Sequence, residues 1–316
     1  MSRPGPISPV VAAVEVVRPP AAGAEGRTSA ATAVAVTADE PVLPGHYPGF
    51  PIFPGVCVIE SVRLSALAAP PPGAGALALA GVETARFLSP VFPGDELAVE
   101  LEWREGADGW RCTAEVATGR GAAARTRLRF TGARPQAAGA QAREPSTAAP
   151  STAAPSTAGQ PEIRRALPHR FPMLLVDRVL DVLPGERIAA LKAVSCNEPW
   201  YRGVPDGAGD WAYPQVLLME SWCQAAGLLA TWDDPNPDVL TGRVMLFGAV
   251  TGLTYHRQVL PGDVLEHRAS ITRTLGDTLI IAGESLVDGE PVLTVESAVL
   301  AFRPAEELRP AAAATA

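Results

Sequence analysis

One long apolar stretch occurs twice along the chain, and each time short alternating segments follow it. Val216 to Trp232 reads VLLMESWCQAAGLLATW, apolar nearly all round, which predicts a helix wrapped by other structure rather than one lying on a surface. A Pro-rich loop precedes it, so the helix is placed from Pro214 to about Thr231, with a counterpart from Pro54 to about Ala68. After the first helix come ELAVELEW, GWRCTAEVATG and ARTRLRF; after the second come VLEHRASITRTL, TLIIAGESLVDG and PVLTVESAVLAF. These are rich in Val, Leu, Thr and Phe and are broken at Gly and Asp, which predicts strands joined by tight turns. A buried helix followed by an antiparallel meander predicts an α+β domain whose sheet curls round the helix.

The two halves answer each other residue by residue. Asp39-Glu40-Pro41 corresponds to Asn197-Glu198-Pro199 at an offset of 158, Glu60-Ser61 to Glu220-Ser221 at 160, and Pro93-Gly94-Asp95 to Pro261-Gly262-Asp263 at 168. Offsets that drift slowly in unchanged order are the mark of a duplicated domain with small loop insertions. Between the copies PSTAA runs from Pro145 to Ala149, again from Pro150 to Ala154, and nearly again from Pro155 to Gly159. Such a segment cannot bury enough apolar surface to offset its ordering entropy and reads as a disordered linker. The expected organisation is therefore residues 1–133, a linker at 134–161, and residues 162–316.

Composition narrows the function. A formal net charge of −8 argues against nucleic acid as the main ligand. Cys57, Cys112, Cys196 and Cys223 show no C-x-x-C spacing and sit in apolar surroundings, so they read as small buried hydrophobes in a reducing compartment, and no metal is expected. The start of the chain, with early prolines and Glu15 inside its apolar run, makes a poor signal peptide. No uninterrupted run of about 18 apolar residues predicts a membrane span. A cytoplasmic protein is the expectation.

PGHYPGFPIFPGVCVIES, from Pro44 to Ser61, carries His-x-x-Gly-x-Pro-x-x-Pro-Gly-Val with a Glu fourteen residues after the His. It resembles the signature of 3-hydroxyacyl-acyl-carrier-protein dehydratases of the FabA/FabZ type. Leu167 to Gly203 resembles the N-terminal region of the same family, and ARFLSPVFPGDEL and LTYHRQVLPGDVL resemble a third element of it. The resemblance implies a double hot-dog, a pseudo-dimer of two antiparallel sheets each curled round a central helix. In that family each site takes its His from one subunit and its acid from the central helix of the other.

Two composite sites are then conceivable, and the departures from the pattern separate them. The first joins His46 and Gly55 of copy one to Glu220 and Gln224 of copy two, which lie four apart and so on one helix face. In the second, the His position holds Val204 or Asp206 depending on the direction of counting, Gly55 is answered by Gln215, and Gln224 by Leu64. All losses fall on one site. Glu60 is then expected to be a structural relic.

The resemblance implies that His46 takes a proton from C2 while Glu220, protonated, gives one to the departing C3 hydroxyl. An apolar helix raises a carboxyl pKa by desolvation, as this requires. The Gly55 N–H would stabilise the thioester oxygen and Gln224 would orient the acid. Pro54, Val56, Phe53, Phe87 and Tyr255 are expected to bind substrate. No cofactor is implied beyond the phosphopantetheine that carries the substrate on acyl carrier protein, the expected partner; further homo-oligomerisation is compatible with this. Arg86, Arg202 and Arg257 are candidate docking positions. His169 is read as ordering a loop, His256 and His267 as surface residues, and Trp200, Tyr201 and Trp211 as filling the vacated pocket. Fusion with decay of one site leans toward polyketide or polyene synthesis. A hot-dog thioesterase, with Glu220 activating water, and a non-catalytic carrier-binding subunit are the alternatives.

Overall fold

The computed structural model describes residues 7–132, 158–205 and 210–308. Most of the expected linker, and Asp206, lie outside the described residues. The central helices form where the apolar runs placed them, α2 over Gly55–Ala68 and α4 over Gln215–Thr231. A short helix, α1 (Leu43–His46), precedes the first, and α3 (Gln160–Ala166) opens the second half. Pro54 and Pro214 are the N-caps, where the missing N–H costs nothing. Fifteen of the seventeen residues of α4 are buried, so the helix has no polar face to turn outward, and Glu220 and Gln224 are committed to the interior.

Among the described residues, twelve strands form one antiparallel sheet. In the first copy they are β1 (Val14–Ala22), β2 (Arg27–Ala35), β3 (Leu77–Phe87), β4 (Glu96–Gly106), β5 (Gly109–Thr118) and β6 (Gly121–Gly132). In the second they are β7 (Arg178–Leu183), β8 (Arg187–Ala193), β9 (Arg243–Tyr255), β10 (Val264–Leu275), β11 (Thr278–Val287) and β12 (Glu290–Pro304). The spatial order is β1-β2-β4-β5-β6-β3-β9-β12-β11-β10-β8-β7. It is a palindrome about the β3–β9 pair once β1 is matched with β7, β2 with β8, and each later strand with its counterpart. The double hot-dog is thus a pseudo-dimer with its two-fold at that seam. There Val82 pairs with Leu253 and Ala85 with Val250. Gly81 is required at the seam, because a Cβ would fall 2.5 Å from the Leu253 carbonyl oxygen.

The strands ahead of each helix were not predicted. β2, RTSAATAVA, alternates in burial but is built of small and hydroxyl residues, and β1 carries Pro19 and Pro20, tolerable because it is an edge strand. Residues 158–161 also depart from the linker reading. Ala158 bridges to Val179, and the Gly159 N–H donates to Glu162 Oε2 at 3.0 Å to start α3. Pro161 and Glu162 are helix-start signals that the preceding PSTAA repeats obscured. Cys57, Cys112 and Cys223 are buried as expected, whereas Cys196 is exposed, since it lies in the turn after β8 rather than in the core. No helix among the described residues is long and apolar enough to cross a membrane.

Candidate active site

The chain arrives at the site from both copies at once. Gly45, on α1, lies so close to copy two that a Cβ would fall 2.4 Å from the Arg170 carbonyl oxygen, and its own carbonyl accepts the Arg170 N–H at 2.7 Å. That backbone contact brings their neighbours in the chain, His46 after Gly45 and His169 before Arg170, side by side, with ring centroids 5.3 Å apart. His46 stacks on Tyr47 at 4.3 Å, and the His169 edge meets the Tyr47 ring at 5.5 Å. Across from them Glu220 projects from α4. The ligand-capable atoms of His46, His169 and Glu220 all lie within 4.8 Å of one another, and all three residues are buried.

Hydrogen bonds set the state of each group. His46 Nδ1 is 3.1 Å from the Ile52 carbonyl oxygen. A carbonyl only accepts, so Nδ1 carries the proton and Nε2 keeps its lone pair. Burial pushes the His46 pKa down to about 4, so the ring is neutral at physiological pH. The same cause raises Glu220 to about 7, despite a lowering hydrogen bond from Gln224. Gln224 is itself fixed three ways: Oε1 accepts from Leu175 N at 2.9 Å, and Nε2 donates to Met173 O at 2.6 Å and to Glu220 Oε1 at 2.9 Å. His169 Nε2 is 3.4 Å from the same Glu220 oxygen, and its Nδ1 is buried with no hydrogen-bond partner. Burial and the neighbouring His46 hold His169 well below the ordinary imidazole range.

These groups open onto a cavity of about 490 Å³ whose walls include Phe53, Gly55, Val56 and Phe87. The tip of the Phe87 ring lies against Gly55, where a Cβ would meet it at 2.9 Å. Cys57 and Val58 donate to the Pro54 carbonyl oxygen at 2.9 and 3.1 Å, so the helix-opening N–H groups left to present the positive end of the α2 dipole are those of Gly55 and Val56, which line this space.

The expected residues divide as follows. His46, Gly55, Glu220, Gln224, Phe53, Val56 and Phe87 converge. Pro54 caps α2 and is not on the cavity wall. Tyr255 is not there either. It is the counterpart of Phe87 in copy two, so the pseudo-symmetry puts it beside Glu60 and Arg63 in the other, decayed site. There Glu60 accepts from Arg63 Nε and Nη2 at 2.7 and 2.6 Å and from Ser8 Oγ at 2.7 Å, and Gln215 donates to Leu79 O at 3.1 Å. Trp200 donates to Glu198, and Tyr201 stacks on Trp211 at 5.9 Å, closing that side.

Among the other histidines, His169 belongs to the site, contrary to its reading as a loop residue. His267 is fully buried, with Nδ1 2.8 Å from Ser285 Oγ, because its position on β10 faces inward, whereas His256 is exposed. Tyr47, Met219 and Arg303 also line the cavity and were missed. His169 had a signal, the Leu167-Pro168-His169-Arg170 motif; Arg303 had none, as only the sheet brings the end of β12 to the mouth. Arg86, Arg202 and Arg257 do not line the cavity.

Comparison with known proteins extends to both copies. Residues 167–296 match a family model described as a FabA-like domain, and residues 23–124 match one described as ApeI dehydratase. A 3-hydroxyacyl-(acyl-carrier-protein) dehydratase FabZ of Magnetococcus marinus is 38% identical over 136 residues, 43% of this chain and 86% of that protein. One from Shewanella loihica is 39% identical over 138 residues, 43% of this chain and 86% of that protein. The dehydratase domain from the CurJ module of curacin polyketide synthase superposes with a TM-score of 0.62 at 11% identity, covering 96% of this chain and 99% of that one.

Proposed function

The chain belongs to the 3-hydroxyacyl-(acyl-carrier-protein) dehydratase family, and on that premise we propose that it dehydrates a 3-hydroxyacyl thioester on acyl carrier protein to the 2-enoyl thioester at one composite site. The observation that carries this reading is the gathering of His46, from copy one, with Glu220, from copy two, in one buried cluster on a cavity.

The roles follow from the hydrogen bonds. The His46 Nε2 lone pair abstracts a proton from C2, and the electron pair moves toward the thioester carbonyl, whose oxygen gains charge. The Gly55 N–H and the α2 dipole stabilise that oxygen. Glu220 gives its proton to the C3 hydroxyl, which departs as water as the C2–C3 double bond forms. Because Oε1 accepts from Gln224, the acidic proton belongs on Oε2. A protonated Glu220 and a neutral His46 coexist below about pH 7 and above about pH 4, so burial prepares both partners in the required state. Afterwards the proton on His46 returns to Glu220 by way of the water just formed, since the two side chains lie within reach of one bridging molecule.

Glu60, locked by Arg63 and Ser8, is assigned no part in turnover. Leu88 and Arg303 are the exposed residues of the cavity lining, which supports entry of phosphopantetheine on that side with Arg303, rather than Arg86, Arg202 or Arg257, as the partner of its phosphate. Retention of a single site in a fused pair fits a specialised chain such as a polyketide or polyene.

The test is to incubate the protein with a 3-hydroxyacyl-carrier protein and weigh the product. Loss of water supports dehydration, and His46→Ala abolishes it. Release of free acid would mean a thioesterase and overturn the proposal.

A further inference from the structure

A second cavity, of about 570 Å³, adjoins the first, and the activity described so far makes no use of it. Its apolar walls include Leu167, Ala230, Val239 and Phe302, and the exposed Asp234, Thr241 and Arg243 line its solvent side. Two residues, Tyr47 and Met245, line both cavities and so form the partition between them. They are tied together, the Tyr47 hydroxyl donating to the Met245 carbonyl oxygen at 2.9 Å.

The rest of the partition is the Met245 side chain, and its seat is specific. A Cβ on Gly227 of α4 would fall 2.6 Å from Met245 Cε and 3.6 Å from its sulfur. The thioether tip therefore occupies space that only a residue without a side chain leaves open. Even the small Ala225 and Ala226 that precede it carry a Cβ, so glycine here, at a helix interior cost of about 1 kcal/mol, is explained by the seat. A methionine is unbranched and adapts its rotamers readily, which makes this wall movable where a backbone wall would not be.

We propose that the second cavity is a distal acyl chamber, that long 3-hydroxyacyl chains pass Met245 to reach it, and that Met245 on its Gly227 seat gates that passage. This rests on the dehydratase reading for the identity of the chain but not for its binding. Short chains stay in the first cavity with Met245 at rest. Each methylene that enters the chamber strengthens binding about fourfold, the ordinary gain for moving it out of water.

The experiment compares butanoyl- and dodecanoyl-pantetheine binding by calorimetry, alongside kcat/KM for the matching 3-hydroxyacyl substrates. Ala230→Phe fills the chamber from α4. Thr241→Trp fills it from an exposed position on the opposite wall, where a bulky side chain leaves the core untouched. Each variant should weaken dodecanoyl binding and kcat/KM by at least about tenfold, and leave the butanoyl values as in wild type. Met245→Ala should ease long-chain entry and raise the dodecanoyl-to-butanoyl ratio. If Thr241→Trp leaves dodecanoyl binding unchanged, or weakens both ligands equally, the chamber is not an acyl site. If chain-length discrimination holds but no water is lost from any 3-hydroxyacyl substrate, the chamber stands and the dehydratase reading falls.

Discussion

Replacing Glu220 with glutamine should make the protein less active and more stable, and the two effects can be sized from the same buried carboxyl. Gln keeps the shape of the side chain and can still accept from Gln224, but it has no proton to give. Loss of a positioned general acid typically lowers kcat by about 10²–10⁴-fold, or ~3–5 kcal/mol of transition-state stabilisation. On the stability side, burial raises the Glu220 pKa from 4.5 to about 7. A raised carboxyl pKa means that the folded state holds its proton more tightly than the unfolded state. The folded state is therefore penalised as pH rises from 4.5 through 7. The penalty is under about half a kcal/mol at pH 4.5 and reaches roughly 3 kcal/mol at pH 8. Glutamine removes it and leaves one amide hydrogen short of a partner, a cost of about 1 kcal/mol. The net gain is about 2 kcal/mol at pH 8 and none at pH 4.5. Urea denaturation of wild type and Glu220→Gln at the two pH values reads this directly, and a mass assay reads turnover. A variant that keeps its turnover, or whose stability difference does not grow with pH, would refute both the role and the cause assigned to Glu220.

Three further outcomes are expected. The kcat/KM profile should be bell-shaped, rising through about pH 4 as His46 loses its proton and falling through about pH 7 as Glu220 loses its own; a limb rising near the ordinary imidazole pKa would contradict the buried, neutral His46. Glu60→Gln should strand the Arg63 guanidinium and destabilise the fold by ~3 kcal/mol while leaving kcat unchanged, measured by denaturation and turnover together. Gly55→Ala drives a methyl into the Phe87 ring, displacing either the ring or the start of α2; steady-state kinetics should show kcat/KM reduced by about 10²-fold, the scale of a misplacement near 1 Å.

Much of this was legible because duplication leaves a record that one copy alone does not. Both helices followed from apolar runs capped by proline, and the pairing of His46 with Glu220 followed from losses concentrated in one site. The failures are equally specific. β2 was missed because alternation of Ala, Ser and Thr with one another carries little hydrophobic contrast, and β1 because Pro19 and Pro20 interrupt it. His169 was taken for a loop residue because nothing in its own sequence neighbourhood reveals Gly45, more than a hundred residues away, on which its loop closes. Tyr255 was assigned to the wrong site because it sits in the right motif of the wrong copy.

The sequence by itself determined which residue types were kept, their order, and the helices that carry them, since these rest on local periodicity and on comparison of one half with the other. It could also state that Glu220 must be buried, because its helix has no polar face. Only the tertiary structure decided what surrounds that carboxyl. The approach of His169 to His46 through Gly45 and Arg170, and the tie between Tyr47 and Met245 that divides the two cavities, are contacts between the two copies. Such contacts are set by how two curved halves pack, and no single stretch of chain contains that information.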